Sequence, residues 1–356
     1  MADRLTSFMG RDMAVDLGTA NTLVYVRGQG IVLDEPSVVA IDVHSGRPLA
    51  VGTEAKKMIG RTPNHIQAVR PLKDGVIADF EICEKMLRYF IQKVNNRRWS
   101  KPRMVICVPS GITGVEQRAV QEAAEEAGGR RPVQLVEAHV AAALGVGLPI
   151  HEARGSMVVV LGGGRTEVAV MSLGGVVARK SLPLGGLDFD QAIIDWVKKE
   201  HGLALGERTA EELKIQVGSA GPARPEAARA SRHDGPDDYD AEIVGRDLVT
   251  GLPRTIMTST LEIREALEGP VMAVVDAVKE VVDATPPELA ADIMEHGVAL
   301  TGGGALLRGL DQRLADETGL PIMINGNPMH AVARGAAHCL AHLDACRNVL
   351  VEAGQL

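Results

Sequence analysis

Residues 13–19 have the sequence Met-Ala-Val-Asp-Leu-Gly-Thr, and residues 158–164 have the sequence Val-Val-Val-Leu-Gly-Gly-Gly. In both stretches an apolar strand runs into glycine and a second apolar run follows, a pattern typical of a β-hairpin. An alignment of Asp16 with Val160 brings the two stretches into register. The same alignment matches three more positions, Leu17 with Leu161, Gly18 with Gly162 and Thr22 with Thr166. The chain therefore contains one hairpin motif twice.

The residues of this motif favour phosphate binding. A turn without Cβ atoms lets backbone N–H groups approach phosphate oxygens, and a carboxylate at the strand end can hold the hydrated cation that accompanies them. The first hairpin has this carboxylate at Asp16, whereas the second has Val160 in the corresponding position. We therefore expect two phosphate-binding turns, of which the second lacks the cation-holding group.

A third glycine cluster lies near the end of the chain. Residues 301–305 (Thr-Gly-Gly-Gly-Ala) follow the apolar strand at 297–300 and lead into residues 306–310. A single glycine turn is usually turn chemistry alone. Two related turns and a third that suits close backbone approach to a flat ligand together favour ligand binding over turn chemistry alone.

The composition of the chain limits the classes of protein to which it can belong. The 356 residues are enough for about two domains, and 46% of them are hydrophobic, with a mean hydropathy of +0.05. The net charge of −8 and the aromatic content of 3% argue against nucleic acid as a partner. No apolar run approaches the roughly 20 residues of a membrane-spanning helix. We expect a protein that is soluble or peripheral to a membrane.

The four cysteines do not form a recognisable site. They are dispersed, without a C-x-x-C pair or a secretory signal, which predicts buried or incidental thiols in a reducing cytoplasm and no zinc. They are Cys83, Cys107, Cys339 and Cys346.

Strands alternate with helices along the chain, which predicts an α/β fold. The first half has strand patterns within 13–53, at 104–108 and at 132–136, and helical patterns at 81–91, 114–127 and 140–145. The strand pattern restarts at 157–184, followed by helices at 187–201, 208–218 and 260–284, a strand at 297–301 and helices at 305–318 and 329–345. Residues 221–240 are rich in Pro, Ala, Arg and Asp, which predicts a flexible surface loop.

Five motifs, in order along the chain, resemble the MreB-like bacterial actins, rod-shape-determining proteins of the actin, Hsp70 and sugar-kinase superfamily. They are residues 16–22, residues 64–79 with Arg-Pro-Leu-Lys-Asp-Gly-Val-Ile at 70–77, residues 108–113, residues 206–214 and residues 300–307. The resemblance implies an actin-like ATPase fold with two duplicated ribonuclease H-like domains and a nucleotide cleft between them. Domain I would comprise 1–148, joined by a C-terminal helix over 329–356, and domain II would comprise 149–328.

The resemblance also implies a binding site for ATP or ADP with Mg²⁺. Contacts to the phosphates, with Asp16 holding the metal through water, are expected from Asp16, Gly18, Thr19, Ala20, Asn21, Gly162, Gly163, Gly164 and Arg165. Glu211 and Lys214 would flank the ribose and adenine, and Gly303, Gly304, Ala305 and Leu306 would close on the base. Without the motif around them, Glu211 and Lys214 would be an ordinary solvated helix face.

The chain departs from the family pattern in the residues of hydrolysis. The family typically has Glu-Glu-Pro before the alanine helix, and its second glutamate positions the attacking water; here residues 137–139 are Glu-Ala-His. The family's Asp and Thr around the second glycine turn are Val160 and Arg165 here. Weak or absent hydrolysis is therefore expected.

Candidate replacements for the missing groups lie nearby. Glu137 could act as the base only if the strand end shifted by one residue, and His139 is a second candidate base; the alternative for His139 is a polar surface residue. Arg165 could place its guanidinium on a phosphate, since its fork suits phosphate oxygens, or could point to solvent.

The resemblance further implies filaments of this chain at the inner face of the cell membrane, working with cell-wall synthesis and morphogenesis proteins. Arg97, Arg98 and Trp99 lie in a predicted turn where this family inserts apolar residues into lipid, and their side chains suit an anionic headgroup region. Residues 4–9 are a weaker second contact. The alternative is that Trp99 packs on its own domain.

The sequence leaves three candidate functions. The first is a nucleotide-binding cytoskeletal filament protein that scaffolds cell-wall growth and shape. An actin-fold metabolite kinase would need a carboxylate base aimed at a substrate hydroxyl, and no such motif is found; a chaperone-like ATPase would need a C-terminal peptide-binding domain. A nucleotide-binding scaffold that does not polymerise is a variant of the first.

Overall fold

The computed structural model describes residues 12–95, 101–221 and 239–351. Helices and strands alternate through the first half of the chain, as the sequence predicts. In order, its elements are β1 (Met13–Leu17), β2 (Asn21–Val26), β3 (Gly30–Pro36), β4 (Val39–Asp42), β5 (Pro48–Val51), α1 (Thr53–Met58), β6 (Ile66–Val69), β7 (Leu72–Lys73), β8 (Val76–Ile77), α2 (Phe80–Val94), β9 (Met104–Val108), α3 (Gly114–Glu126), β10 (Gln134–Glu137) and α4 (Ala138–Gly145).

The second half repeats the arrangement of a β-meander followed by helices and further strands. Its elements are β11 (Ser156–Leu161), β12 (Thr166–Ser172), β13 (Gly175–Leu182), α5 (Gly186–His201), β14 (Leu203–Ala204), α6 (Glu207–Val217), β15 (Asp240–Asp247), β16 (Pro253–Ser259), α7 (Thr260–Asp283), α8 (Pro287–His296), β17 (Val298–Thr301), α9 (Leu310–Thr318), β18 (Ile322–Met323), α10 (Ala331–Ala341) and β19 (Leu350–Val351). Short 3-10 helices span Gly303–Leu306, Pro328–His330 and Arg347–Val349.

Two sheets have the same strand plan. The six-stranded sheet has the order β19-β10-β9-β1-β2-β3, and the five-stranded sheet has the order β13-β12-β11-β17-β18. In each, three antiparallel strands form a meander whose first strand pairs in parallel with a later strand, β1 with β9 and β11 with β17. We call the described part of residues 12–137 with β19 the first lobe and that of residues 156–323 the second lobe.

The alternation of side chains along β1 and β11 divides the core. Met13, Val15 and Leu17 face a core within the first lobe, and the corresponding alternate residues of β11 face a core within the second lobe. The residues between them, Ala14 on β1 and Val158 on β11, belong to a third core shared by both sheets. Asp16 follows Ala14 on this inner face, so the last position of each strand before the turn is directed between the lobes.

Helices α4 and α10 pack against each other between the two sheets and supply nine of the twenty buried residues of the shared core. Small residues permit this close approach. A Cβ placed on Gly335 of α10 would lie 1.6 Å from the carbonyl oxygen of Ala141 on α4, so only glycine fits there. This helix pair holds the lobes together behind the space into which the strand ends point.

Several helices begin where the sequence provides a cap. The side chain of Asp79 accepts a hydrogen bond from the Ile82 N–H at the start of α2, and Thr113 and Glu116 form a reciprocal capping box at the start of α3. Ser259 and Glu262 form the same box for α7. No helix within the described ranges is long and apolar enough to cross a membrane.

The structure differs from the sequence-based expectation at the end of the chain. The helix expected over 329–356 spans only Ala331–Ala341, and the chain then adds β19 to the edge of the first sheet, antiparallel to β10. The helix expected over 305–318 is divided into a 3-10 helix and α9. The predicted flexible loop falls mostly on residues 222–238, which lie outside the described residues.

Candidate functional site

The two hairpins have equivalent backbones. The N–H of Gly18 donates to the carbonyl of Asn21 over 3.1 Å, and the N–H of Gly162 donates to the carbonyl of Arg165 over 2.9 Å. In the strand pairs that follow, Asp16 lies opposite Leu23 and Val160 lies opposite Glu167. The alignment of Asp16 with Val160, made on sequence alone, is the alignment of the hydrogen-bonded turns, and the predicted duplication is confirmed.

The turns of the two hairpins meet across the space between the lobes. A Cβ placed on Gly163 would lie 2.4 Å from the Cβ of Ala20, and one placed on Gly164 would lie 2.9 Å from Cγ2 of Thr19. Neither position has room for a side chain without movement of the facing turn. Gly163 and Gly164 are therefore required because the turn of the first hairpin lies so close to them.

A cavity of ≈ 420 Å³ opens between the lobes at these turns. Of the residues predicted for the nucleotide, those that line it are Asp16, Gly18, Thr19, Ala20, Asn21, Gly162, Gly163, Gly164, Arg165, Glu211, Lys214, Gly303, Gly304 and Leu306. Ala305 is the exception because its side chain is buried at 3% exposure beneath the third glycine turn. Ala138 and Val160 also line the cavity, so these two positions that depart from the family pattern face, as Arg165 does, the space in which phosphates would lie.

Asp16 is partly exposed at the cavity, but its carboxyl is buried deeply enough for its pKa to shift. Burial first, and the negative charge of Asp34 second, raise the pKa of its carboxyl from 3.8 to about 7. A cation or a hydrogen-bond donor beside it would favour the charged form. Val160 offers no oxygen in the corresponding place, and within the described ranges no three His, Cys, Asp or Glu side chains cluster as a metal site would need.

The second hairpin has its carboxylate on the other strand. Glu167 lies opposite Val160 on β12, lines the cavity and is 3% exposed. Its Oε1 accepts a hydrogen bond from the Ser110 N–H of the first lobe, whereas its Oε2 has no hydrogen-bond partner among the described residues. Burial alone would raise the pKa of Glu167, but the neighbouring His139 and the Ser110 N–H outweigh burial, so that pKa is lowered. The sequence analysis missed this residue.

The structure does not bring the two candidate bases into the cavity. Glu137 faces the opposite side of the lobe junction, where both its carboxylate oxygens contact Nη1 of Arg179 at 2.9 and 3.2 Å. The side chain of His139 is fully buried, so its interpretation as a polar surface residue is wrong. Its Nε2 lies 3.6 Å from Glu137 and its Nδ1 lies 3.6 Å from Glu167, distances too long for hydrogen bonds. His139 is thus an internal group between two carboxylates.

Arg165 links the lobes at the mouth of the cavity. Its Nε donates to the carbonyl oxygen of Asp74 in the first lobe over 2.6 Å, and its Nη1 donates to Oγ of Ser181 on β13 over 2.8 Å. The alternative that it points to solvent is wrong, since the residue is half-buried and lines the cavity. Beside it the Gly75 N–H donates to Oγ1 of Thr19 over 2.8 Å, so the 72–77 loop contacts both hairpins.

Glu211 and Lys214 are engaged rather than solvated, which overturns the alternative of an ordinary helix face. Nζ of Lys214 lies 2.7 Å from a carboxylate oxygen of Asp190 on α5, and Glu211 pairs with Lys56 of the first lobe at 2.7 Å. Burial raises the pKa of Asp190 to about 6 although Lys214 opposes the shift. Asp190 also lines the cavity, and the sequence analysis did not identify it.

The predicted membrane residues Arg97, Arg98 and Trp99 lie outside the described residues, as does the N-terminal stretch 4–9. Their prediction is unchanged by the structure.

Comparison with known proteins identifies related chains. The family model for MreB/Mbl protein matches residues 10–348. The chain is 51% identical to the cell shape-determining protein Mbl of Bacillus subtilis over 335 residues, which are 94% of this chain and 97% of the relative. It is 49% identical to the cell shape-determining protein MreB of Escherichia coli K12 over 350 residues, 97% of each chain.

Two solved structures resemble the fold. MreB5 of Spiroplasma citri bound to ADP superimposes with a TM-score of 0.86 at 34% identity, covering 96% of this chain and 98% of that one. The MamK double helical filament superimposes with a TM-score of 0.75 at 21% identity, covering 93% and 99%. The resemblance to bacterial actins and the actin-like fold, both predicted from the motifs, are confirmed.

Proposed function

The chain belongs to the MreB/Mbl family of bacterial actin-like proteins, and from that membership we propose that it binds ATP or ADP between its lobes and forms cell-shape-determining filaments. The related MreB5 of Spiroplasma citri is bound to ADP in one solved structure and to AMPPNP in another. The observation that carries the proposal is the pair of equivalent glycine hairpins that meet at one cavity. Glycine turns from both lobes line that cavity, and the backbone of such turns suits a polyphosphate.

The proposed ligand would place its phosphates and its adenosine in different parts of the cavity. The turns at Thr19 and Gly164 would contact the phosphates, and Lys214 and Glu211 would flank the sugar and the base. The glycine turn at 302–304 lacks side chains and would close on the flat ring. The proposed ligand thus touches both lobes and favours the closed arrangement by binding it.

Mg²⁺ would accompany the phosphates, with Asp16 as its protein contact through water. A magnesium ion in a nucleotide site usually retains several waters and needs only one or two carboxylates besides the phosphates. Asp16 would provide one such carboxylate from the first lobe, and Val160, at the corresponding position of the second lobe, has no oxygen to offer the metal. The metal would lower the pKa of Asp16 by stabilising its charged form.

Hydrolysis is proposed to be weak or absent. Positioning of the attacking water needs a polar side chain near the terminal phosphate, and Ala138 provides none. The bound nucleotide would then act as a structural ligand that holds the lobes together. Head-to-tail filaments of this chain at the inner membrane face, with cell-wall synthesis proteins as partners, complete the proposal; the relation to the MamK double helical filament supports the polymer.

Nucleotide binding is tested with a variant of the second turn. Gly164→Leu would drive its side chain into Thr19, so we expect the affinity for ATP, measured by calorimetry, to fall by about 100-fold or more. Gly269→Ala on α7, where a Cβ meets no atom within 4 Å, is the matched control and should bind as the unmodified protein does. Equal affinities for all three proteins would overturn the assignment of the cleft.

Membrane binding is tested by co-sedimentation with vesicles that contain anionic lipid. Each arginine near an anionic surface contributes about 1 kcal/mol, so one protomer should bind weakly and a polymer strongly. Replacement of Trp99 by Ala and of Arg97 and Arg98 by Gln should abolish sedimentation with vesicles. Retained sedimentation would shift the anchor to the N-terminal segment around Phe8.

A further inference from the structure

The second hairpin carries a positive charge where the first carries an amide. Arg165 occupies the place that Asn21 has in the first hairpin, immediately before the leaving strand. The amide of Asn21 donates to Oδ1 of Asp34 over 3.0 Å, a contact within its own lobe. Arg165 instead reaches from the second lobe to the carbonyl of Asp74. Both residues line the cavity, but only Arg165 brings a cation to it.

The protein contacts of Arg165 leave its charge without a counter-ion. Both acceptors, the carbonyl of Asp74 and the hydroxyl of Ser181, are neutral oxygens. Within the described ranges Arg165 takes part in no ion pair, and its Nη2 has no protein hydrogen-bond partner. Among the described residues that line the cavity, Lys214 is paired with Asp190 and Glu211 with Lys56, whereas Arg308, like Arg165, has only neutral oxygen acceptors.

The same hairpin has no carboxylate at the position of Asp16, and its Glu167 lies on the other strand, where it accepts a hydrogen bond from the Ser110 N–H. Val160 is 6% exposed and forms an apolar wall at the position where the first hairpin has Asp16. A guanidinium has a planar fork of donors that matches phosphate oxygens, and its charge does not depend on a metal ion. The hairpin has thus lost a carboxylate and gained an arginine on one turn, two changes that complement each other for an anionic ligand.

We propose that Arg165 binds the phosphate chain of the nucleotide directly and thereby makes binding largely independent of a divalent cation. The inference rests on the proposed nucleotide function. It assigns to Arg165 the neutralising role that a metal ion held by both hairpins would otherwise have. The contacts to Asp74 and Ser181 hold the guanidinium at the cavity mouth, so that its remaining donors can meet the ligand.

The test compares ATP affinity by calorimetry in Mg²⁺ and in EDTA. For the unmodified protein the two dissociation constants should differ by less than about threefold. Arg165→Gln should weaken binding in EDTA by about tenfold or more, since a hydrogen bond to a charged group is lost. Arg179→Gln removes the same charge from the neighbouring strand, outside the cavity, and should leave both constants unchanged.

Two further variants separate the charge of Arg165 from its hydrogen bond to Ser181. Ser181→Ala removes the Nη1 contact, which lies within the second lobe, and keeps the guanidinium and its Asp74 contact, so the dissociation constant for ATP should rise by less than about threefold. Val160→Asp keeps Arg165 and adds a carboxylate, so binding in EDTA should weaken about tenfold and Mg²⁺ should restore it. Val160→Asp also serves if Arg165→Gln does not fold.

The outcomes distinguish the inference from the proposed function. No ATP binding by the unmodified protein in either buffer would overturn the nucleotide function itself. ATP binding that requires Mg²⁺ would overturn the role of Arg165 alone. A loss for Ser181→Ala as large as that for Arg165→Gln would show that the hydrogen bond to Ser181, rather than a phosphate contact, accounts for the effect of Arg165, and would also overturn it.

Discussion

In the first lobe the carboxylate nearest the glycine turn, Asp16, lies on the strand that enters the turn, and its cross-strand neighbour is Leu23. In the second lobe the carboxylate, Glu167, lies on the strand that leaves the turn, and its neighbour is Val160. Asp16 has its pKa raised by burial, whereas the pKa of Glu167 is lowered by His139 and the Ser110 N–H despite burial. The two hairpins thus have equivalent backbones but different carboxyl groups. Asp16 is partly exposed at the cavity, whereas Glu167 is buried and contacts Ser110 of the first lobe.

This difference shows what the duplicated hairpin has kept and what it has lost. The turn geometry would serve phosphate binding in both lobes because it depends on glycine and on backbone N–H groups. Hydrolysis would depend on side chains, and two side chains of the second lobe that line the cavity bridge the lobes. Ser110 to Glu167 and Asp74 to Arg165 are both such bridges.

The largest expected effect is on phosphate release, when carboxylates are introduced at the positions of Ala138 and Val160. Ala138→Glu with Val160→Asp should raise the rate of phosphate release by about 10²–10⁴, the usual contribution of a positioned base. Both side chains face the cavity, so the new carboxylates would point at the phosphates. Phosphate release in a single turnover of ATP measures the effect, with Glu137→Gln as a carboxylate change outside the cavity. An unmodified protein that already matches the double variant would show that the hairpin difference has no chemical consequence.

The next largest effect concerns the carboxyl of the first hairpin. Because the pKa of Asp16 is raised from 3.8 to about 7, the folded protein between these pH values holds a proton that the unfolded chain has released. The free energy of unfolding therefore falls as pH rises through this range. Asp16→Asn removes that loss and should stabilise the nucleotide-free protein above about pH 7 by on the order of a few kcal/mol.

Urea unfolding at about pH 5 and about pH 8 measures this effect. The gain in stability of Asp16→Asn over the unmodified protein should be larger at the higher pH. Asp276→Asn, an exposed carboxylate on α7, is the control and should show no such trend. A gain that is the same at both pH values would contradict the raised pKa.

Smaller effects, on the free energy of unfolding, are expected from replacing Lys214 and Lys56, the two lysines near the proposed adenosine site. Lys214→Gln leaves the buried carboxylate of Asp190 without its ion pair and should cost about 2 kcal/mol in the free energy of unfolding. Lys56→Gln breaks a pair whose side chains are about one third exposed, so the cost should be about 1 kcal/mol or less. Denaturant titration of both variants tests the ranking, and the reverse order would contradict the difference in burial.

The sequence predicted the features that depend on local pattern. Apolar alternation and glycine fixed the two hairpins and their register, and the positions of Ala138 and Val160 at the cavity followed from the family motif. Gly163 and Gly164 were identified as site residues, but the reason for both, contact with the opposite turn, is visible only in three dimensions.

Features that depend on packing between distant segments were not predictable. The environment of His139 is set by β12 and α10, which lie far from it in sequence, so its burial could not be inferred from a helix start. Glu167 occupies a strand position that alternation assigns to the inner face, a signal that could have identified it. The end of α10 at Ala341 depends on β19 pairing with β10, a contact without a local sequence signal.

The central claim is that this chain holds ATP between two hairpins of which the second has lost its part in hydrolysis. Parallel measurement of bound nucleotide and released phosphate on the unmodified protein tests it most directly. The account predicts one ATP bound per chain and recovered intact, with phosphate release about 10² or more slower than in the Ala138→Glu, Val160→Asp variant. Stoichiometric conversion of the bound ATP to ADP at the rate of that variant would contradict it.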